Sequence, residues 1–195
     1  RSQGRLREIE RFRAQPGDPW FVVGWVEGPI AEYSDLRGTT NASLDFFDAP
    51  ETVARALDTI VAQALDFITL QVRAGADCIG IGDAFCSQVG PGLYRTFAFE
   101  RERRMVEHIH ALGALAKLHV CGNTDAILPD MIRTGADIVD VDHLVPSMAP
   151  HAPLLGPGQF FCGKSDPVAV IQNGTAEEIR ASVEESVVQA GGRCI

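Results

Sequence analysis

Basic residues are scarce in this chain: 17 Lys and Arg stand against 26 Asp and Glu over 195 residues, a formal charge of −9. A general nucleic-acid binder needs a concentrated basic surface to neutralise phosphates, so that class is excluded. Long apolar runs are missing too. None nears the roughly 20 residues of a membrane span, and the opening RSQGRLREIERFRAQ lacks the apolar stretch of a signal peptide. No membrane partner is expected, and we read the protein as cytoplasmic. There is no low-complexity segment, no long linker and no internal repeat. The five cysteines (Cys78, Cys86, Cys121, Cys162 and Cys194) form an odd set scattered through apolar segments, unlike the paired framework of a small secreted domain. In a reducing compartment such residues are core side chains, nucleophiles or metal ligands.

What is present is the composition of an ordinary globular protein, 46% hydrophobic and 22% charged, with enough chain for one domain of sizeable core. Compact apolar runs alternate with helical patterns. After a charged helical segment at 5–14, WFVVGW (20–25) reads as a buried strand between Pro19 and Gly28-Pro29. Residues 51–73 place Val53, Leu57, Ile60, Val61, Ala64, Leu65 and Ile68 at helical spacing. Then come the strand CIGIG (78–82), a Gly- and Pro-rich loop, a helix at 97–112, the strand 115–121 and a helix near 124–134. The strand 137–142, a short helix near 147–155, the strand 159–163 and a helix at 175–190 follow. Thr175 and Glu178 have capping-box spacing, and Gly191-Gly192 marks the far end of that helix. A sixth strand begins at Arg193-Cys194-Ile195.

Alternating strands and helices imply parallel strands joined by right-handed crossovers, as an open doubly wound sheet or as part of a (β/α)8 barrel. The segment GWVEG has nothing of the G-x-G-x-x-G phosphate turn of a dinucleotide fold. Polar residues also close each strand at its C-terminal edge: Glu27, Asp83, His119 with Cys121, Asp140 with Asp142, and Lys164 to Asp166. A barrel mouth collects residues in that way, so the fold expected is a TIM (β/α)8 barrel seen as an incomplete later portion with five to six parallel strands. Residues 1–195 are then one domain truncated at both ends.

The sharpest local feature is L-H-V-C-G-N-T at 118–124. Strand alternation sends His119 and Cys121 to one side, with Lys117 further down the same face. An imidazole and a thiolate so placed can share one Zn2+, although two ligands do not make a site, and the plain alternative is a buried Cys beside a hydrogen-bonded His. Within the chain, Cys162 is the first choice for a third ligand and Cys86 the second. Asp83 is expected to point over the barrel mouth as a substrate-orienting or proton-handling group, the alternative being a cap or loop hydrogen bond. Asp140 and Asp142 share a strand face and could hold a ligating histidine, contact a ligand, or cap the loop. Glu27 could complete a metal shell or face solvent. His108, His110 and the ERERR run at 100–104 read as solvated helix surface.

The ordered set GADCIGIGDAF (75–85), LHVCGNT (118–124), TGADIVDVD (134–142), GKSDP (163–167) and NGTAEEI (173–179) resembles the uroporphyrinogen decarboxylase superfamily. Within it, the chain resembles the zinc-dependent corrinoid methyltransferase branch. The resemblance runs from Phe21 to Ile195 and implies a barrel longer than this chain. It implies Zn2+ ligation by His119, Cys121 and a third cysteine in a G-C-x-x-P-like turn just beyond Ile195, with Cys162 as the in-chain fallback. Asp83 and Asp142 are then the catalytic candidates, and Glu27 and Asp140 the substrate-binding ones. The implied reaction moves a methyl group between a corrinoid, presented as a corrinoid protein or free methylcobamide, and a small thiol-type acceptor such as coenzyme M or homocysteine, or a folate. A homodimer is the assembly to test. The decarboxylase branch, with tetrapyrrole carboxylates as substrate, is the alternative. Against it, Asp83-Ala84 stands where decarboxylases carry D-S, they lack H-x-C, and Tyr33 only approximates an active-site Tyr. A non-catalytic corrinoid- or tetrapyrrole-binding barrel is the third reading.

Overall fold

The computed structural model describes residues 2–17 and 20–195. Five short strands, β1 (Val23–Glu27), β2 (Cys78–Gly82), β3 (Leu115–Val120), β4 (Ile138–Val141) and β5 (Phe160–Gly163), form one sheet in the order β1-β2-β3-β4-β5. Every pairing is parallel. At the sixth predicted strand, Cys194 makes a single parallel bridge to Phe161.

Among the described residues, eight α-helices connect or flank the strands: α1 (Ser2–Arg13), α2 (Pro29–Arg37), α3 (Thr39–Asp48), α4 (Pro50–Ala74), α5 (Cys86–Leu93), α6 (Phe99–Ala111), α7 (Leu128–Arg133) and α8 (Ala176–Gln189). The 25-residue α4 follows the predicted stripe, burying Val53, Leu57, Val61 and Ile68, and stops where Gly75 adopts a left-handed φ of 110°. The capping box of α8 is made in both directions between Thr175 and Glu178.

Strand order decides the architecture. In a doubly wound sheet the order reverses at a switch point. Here each crossover steps one strand the same way, and since parallel crossovers are right-handed as a rule, the helices accumulate on one face. That face is the core: Ile79, Ile81, Ala116, Leu118, Val120, Val139 and Phe161 have no exposed surface and pack with Leu57, Val61, Met105 and Ile109 of α4 and α6. Each large side chain so buried contributes about 1.5–3 kcal/mol relative to exposure. The opposite face carries Trp25, Lys117, His119, Asp140 and Cys162, all partly accessible. Singly wound, with polar residues on the concave side, the sheet is part of a (β/α) barrel.

Several local expectations are revised. The strand predicted from Trp20 begins at Val23. The unpredicted α2 and α3 fill residues 29–48. Gly28-Pro29 ends a strand and also starts a helix, since proline is suited to a first helical turn. The Gly- and Pro-rich loop after CIGIG is α5, interrupted at Gly90 (φ 78°), followed by a π-helical turn at Tyr94–Ala98. The helix near 124–134 shortens to α7, and that at 147–155 to a 3-10 turn, Ala152–Leu154.

Candidate functional site at the strand ends

Register places one row of residues across all five strands: Glu27 beside Gly82, then His119, Asp140 and Cys162. On β3 the period of two sends Ala116, Leu118 and Val120 into the core, leaving Lys117 and His119 on the concave side. Cys121 follows the strand's last residue, and its Sγ lies 3.1 Å from His119 Nε2. Gly122 turns the chain with φ 88°, and a Cβ there would meet Ser87 Oγ at 2.9 Å, so glycine is required.

Carboxylates surround this pair. Asp140 Oδ2 is 2.7 Å from Lys117 Nζ and 3.4 Å from His119 Nδ1. The latter contact falls outside hydrogen-bond geometry, so Nδ1 is buried without a hydrogen-bond partner. Beside Asp140, the His119 imidazole is held above its usual pKa against the effect of burial. Burial would raise Asp140, but His119 and Lys117 hold it below the carboxylate range. Asp142 accepts from Gly122 N (Oδ2, 2.9 Å) and Leu144 N (Oδ1, 2.9 Å), and its Oδ1 lies 3.0 Å from His143 Nδ1. Burial and then the charges of Asp142 and Asp140 push the Cys121 thiol up. The pair therefore offers one nitrogen and one sulfur donor, 3.1 Å apart, to a borderline-soft cation.

Asp83 is placed differently from the expectation. It has no exposed surface and does not point over the mouth. Its carboxylate turns back beneath α2 and accepts from Ala31 N at 2.6 Å and Ile30 N at 3.4 Å, the unsatisfied amides of that helix's first turn. There it meets Cys86 and Glu102, all three buried, with ligand atoms within 4.8 Å of one another. The Tyr94 hydroxyl donates to Glu102 in the same pocket. Glu102 thus departs from the solvated face expected of ERERR: it falls on the buried stripe with Met105, Val106 and Ile109. That i, i+3, i+4, i+7 spacing is the signal in the sequence that marks it. Burial, then the Asp83 charge, pushes Glu102 well above the carboxylate range, and burial raises Asp83 as well.

The remaining candidates sit apart. Cys162 Sγ, two strands over from His119 in the same row, is 3.9 Å from Lys117 Nζ. Among the described residues, no third His, Cys, Asp or Glu joins that pair in a group with all ligand atoms within 4.8 Å. Cys86 opens α5 in the sealed pocket instead of lining the mouth. Glu27 closes β1 with an exposed side chain, its carboxyl raised by partial burial and by Asp35. His108 is half-buried and meets Thr69 Oγ1 at 2.8 Å, and the exposed His110 meets Asp137 at 2.8 Å. His143, which the motif reading passes over, stands at the end of β4 between Asp142 and Asp166, the latter 3.5 Å from its Nε2.

Comparison with known proteins bears on this arrangement. The uroporphyrinogen decarboxylase (URO-D) family profile matches residues 5–194. Methylcobamide:CoM methyltransferase MtbA of Methanosarcina mazei is 29% identical over 188 residues, covering 95% of this chain and 54% of the relative. Methylcobamide:CoM methyltransferase MtaA of Methanosarcina barkeri is 26% identical over 189 residues, covering 96% and 54%. Uroporphyrinogen decarboxylase of Gloeobacter violaceus is 26% identical over 191 residues, covering 94% and 54%. A solved methyltransferase from Methanosarcina mazei shares the fold with a TM-score of 0.87 at 23% identity, over 97% of this chain and 56% of that one. The chain spans about half the length of the curated relatives it matches. Matched along nearly all of its residues, it belongs to the uroporphyrinogen decarboxylase (URO-D) family of enzymes, whose relatives carry both methyltransferase and decarboxylase names.

Proposed function

We propose that this chain forms the site-bearing part of a zinc-dependent methyltransferase that moves a methyl group between a corrinoid and a thiol-type acceptor. The observation that carries this reading is the approach of His119 Nε2 and Cys121 Sγ to 3.1 Å at the end of β3. The similarity to methylcobamide:CoM methyltransferases supports it, as does the N/S chemistry of the donors. His119 and Cys121 would hold Zn2+, with a third cysteine following Ile195 in a longer chain. Bound zinc supplies Lewis acidity that lowers the pKa of a thiol acceptor.

The chain's own groups prepare that site. Asp140 faces Nδ1 of His119 and leaves Nε2 toward Cys121, while Lys117 balances the Asp140 charge from below. Glu27, across Gly82 in the same row, is placed to contact a ligand entering from the β1 side. Asp83, sealed beneath α2, supports the wall and makes no contact at the mouth.

Metal analysis of the purified full-length protein, which would carry the third cysteine, tests this reading. One equivalent of zinc, lost in both His119→Ala and Cys121→Ala, is the expected result. Zinc-free protein that fails to take up zinc on titration would overturn it and leave the decarboxylase as the reading.

A further inference from the structure

From the hydrogen bonding around Asp142 we infer that this residue is a positioning residue that fixes the Cys121 thiol. This rests on His119 and Cys121 being metal ligands, and it adds a residue that the H-x-C pattern does not contain.

Cys121 lies just past β3, where ladder hydrogen bonds no longer fix the backbone. Its Sγ faces Nε2 of His119 only if the chain turns at once, which Gly122 does through its left-handed φ of 88°. The tie holding that corner in place is the Gly122 N–H donated to Asp142 Oδ2 at 2.9 Å, which joins the end of β3 to the end of β4. Asp142 is itself held. Its Oδ1 accepts from Leu144 N at 2.9 Å and meets His143 Nδ1 at 3.0 Å. The imidazole reaches Asp166 Oδ2 at 3.5 Å, and Asp166 Oδ1 accepts from Val168 N and Ala169 N, both at 2.8 Å.

A tie thus runs from Gly122 at the end of β3 to Asp142 at the end of β4, with His143 lying between Asp142 and Asp166. Both carboxylate oxygens of Asp142 are occupied by backbone amides, which suits an anchor and leaves little capacity for proton handling. His119 already lies on a strand, whereas Cys121 depends on this corner. Loss of Asp142 is therefore expected to act on the sulfur ligand and to spare the nitrogen ligand.

Cobalt(II) is the probe, because cysteine ligation shows in its thiolate charge-transfer absorption and its affinity is measured by competition with a chelator. Wild type, D142N, D142A, H119A and C121A, each as the full-length protein, are titrated with cobalt(II), and thermal melting reports folding. Asn at 142 keeps one acceptor oxygen and Ala keeps none, so affinity should fall in the order wild type, D142N, D142A. D142A should lose about 10–100-fold, with its thiolate absorption weakened. Wild-type affinity and absorption in D142N overturn the inference, and D142N decides alone if D142A does not fold. Failure of the metal-binding reading looks different: wild type gives no thiolate absorption, or H119A and C121A bind cobalt as wild type does.

Discussion

The carboxyl groups of Asp83 and Glu102 are enclosed together behind the end of β2, with no exposed surface on either residue. Neither carboxyl has a cation among the groups acting on it. Two adjacent buried carboxylates cannot both be charged without a large penalty, so the pair holds a proton. The first-turn amides of α2 favour the anion on Asp83, which assigns the proton to Glu102.

A pH dependence follows, and its sign is fixed. The folded-state pKa of Glu102 is raised, so the folded protein keeps a proton that the unfolded chain releases above an ordinary Glu pKa of about 4.3. Its contribution is complete below that pH and is lost as pH rises toward the folded value, at up to about 1.4 kcal/mol per pH unit. Denaturant unfolding from about pH 5 upward should show wild type losing stability relative to Glu102→Gln, which has no proton to release. A pH-independent difference between the two would place the proton elsewhere.

Glu102→Ala should be far worse than Glu102→Gln. Alanine leaves the Tyr94 hydroxyl and Asp83 facing a cavity, at about 2–4 kcal/mol, whereas glutamine stays within about 1 kcal/mol of wild type. Equal losses in urea unfolding would mean that shape alone matters in this pocket.

Gly80 and Gly82 let the Trp25 ring lie flat on β2, since a Cβ at either position would run into the indole. Gly80→Ala should displace Trp25, costing about 1–3 kcal/mol and shifting tryptophan fluorescence. Gly92→Ala, which meets open space inside α5, serves as the control and should leave stability unchanged or raise it by up to about 1 kcal/mol.

Lys117→Met keeps most of the aliphatic stem but removes the cation 2.7 Å from Asp140. Both side chains are mostly sheltered, so a loss of about 1.5–3 kcal/mol is expected in thermal or denaturant unfolding. An unchanged midpoint would show that His119 alone suffices to balance Asp140.

Thr175→Ala removes one half of the α8 capping box and should cost about 1 kcal/mol. Far-ultraviolet circular dichroism through the melt is the check, with loss of helical signal at lower temperature as the expected result.

The parts legible in the sequence were those governed by local periodicity. The period of two on β3 put His119 on the concave face, and the apolar stripe of α4 located that helix to within a residue at each end. What stayed hidden depends on partners distant in sequence. Asp83 turns inward because the amides of Ile30 and Ala31 await it more than 50 residues away. Those amides belong to α2, which the Gly28-Pro29 break concealed. Glu102 was masked by the charges around it, although its neighbours at helical spacing are apolar. His143 gains meaning only when β5 brings Asp166 beside it.

The alternation on β3 has one more consequence. Residues that keep the strand in place (Ala116, Leu118, Val120) and residues that face incoming molecules (Lys117, His119) never coincide. Each set is free to drift under its own selection. Exchanging the outward-reaching set would alter the chemistry of the mouth without loosening the wall behind it. An architecture built this way can host methyl transfer in one relative and decarboxylation in another.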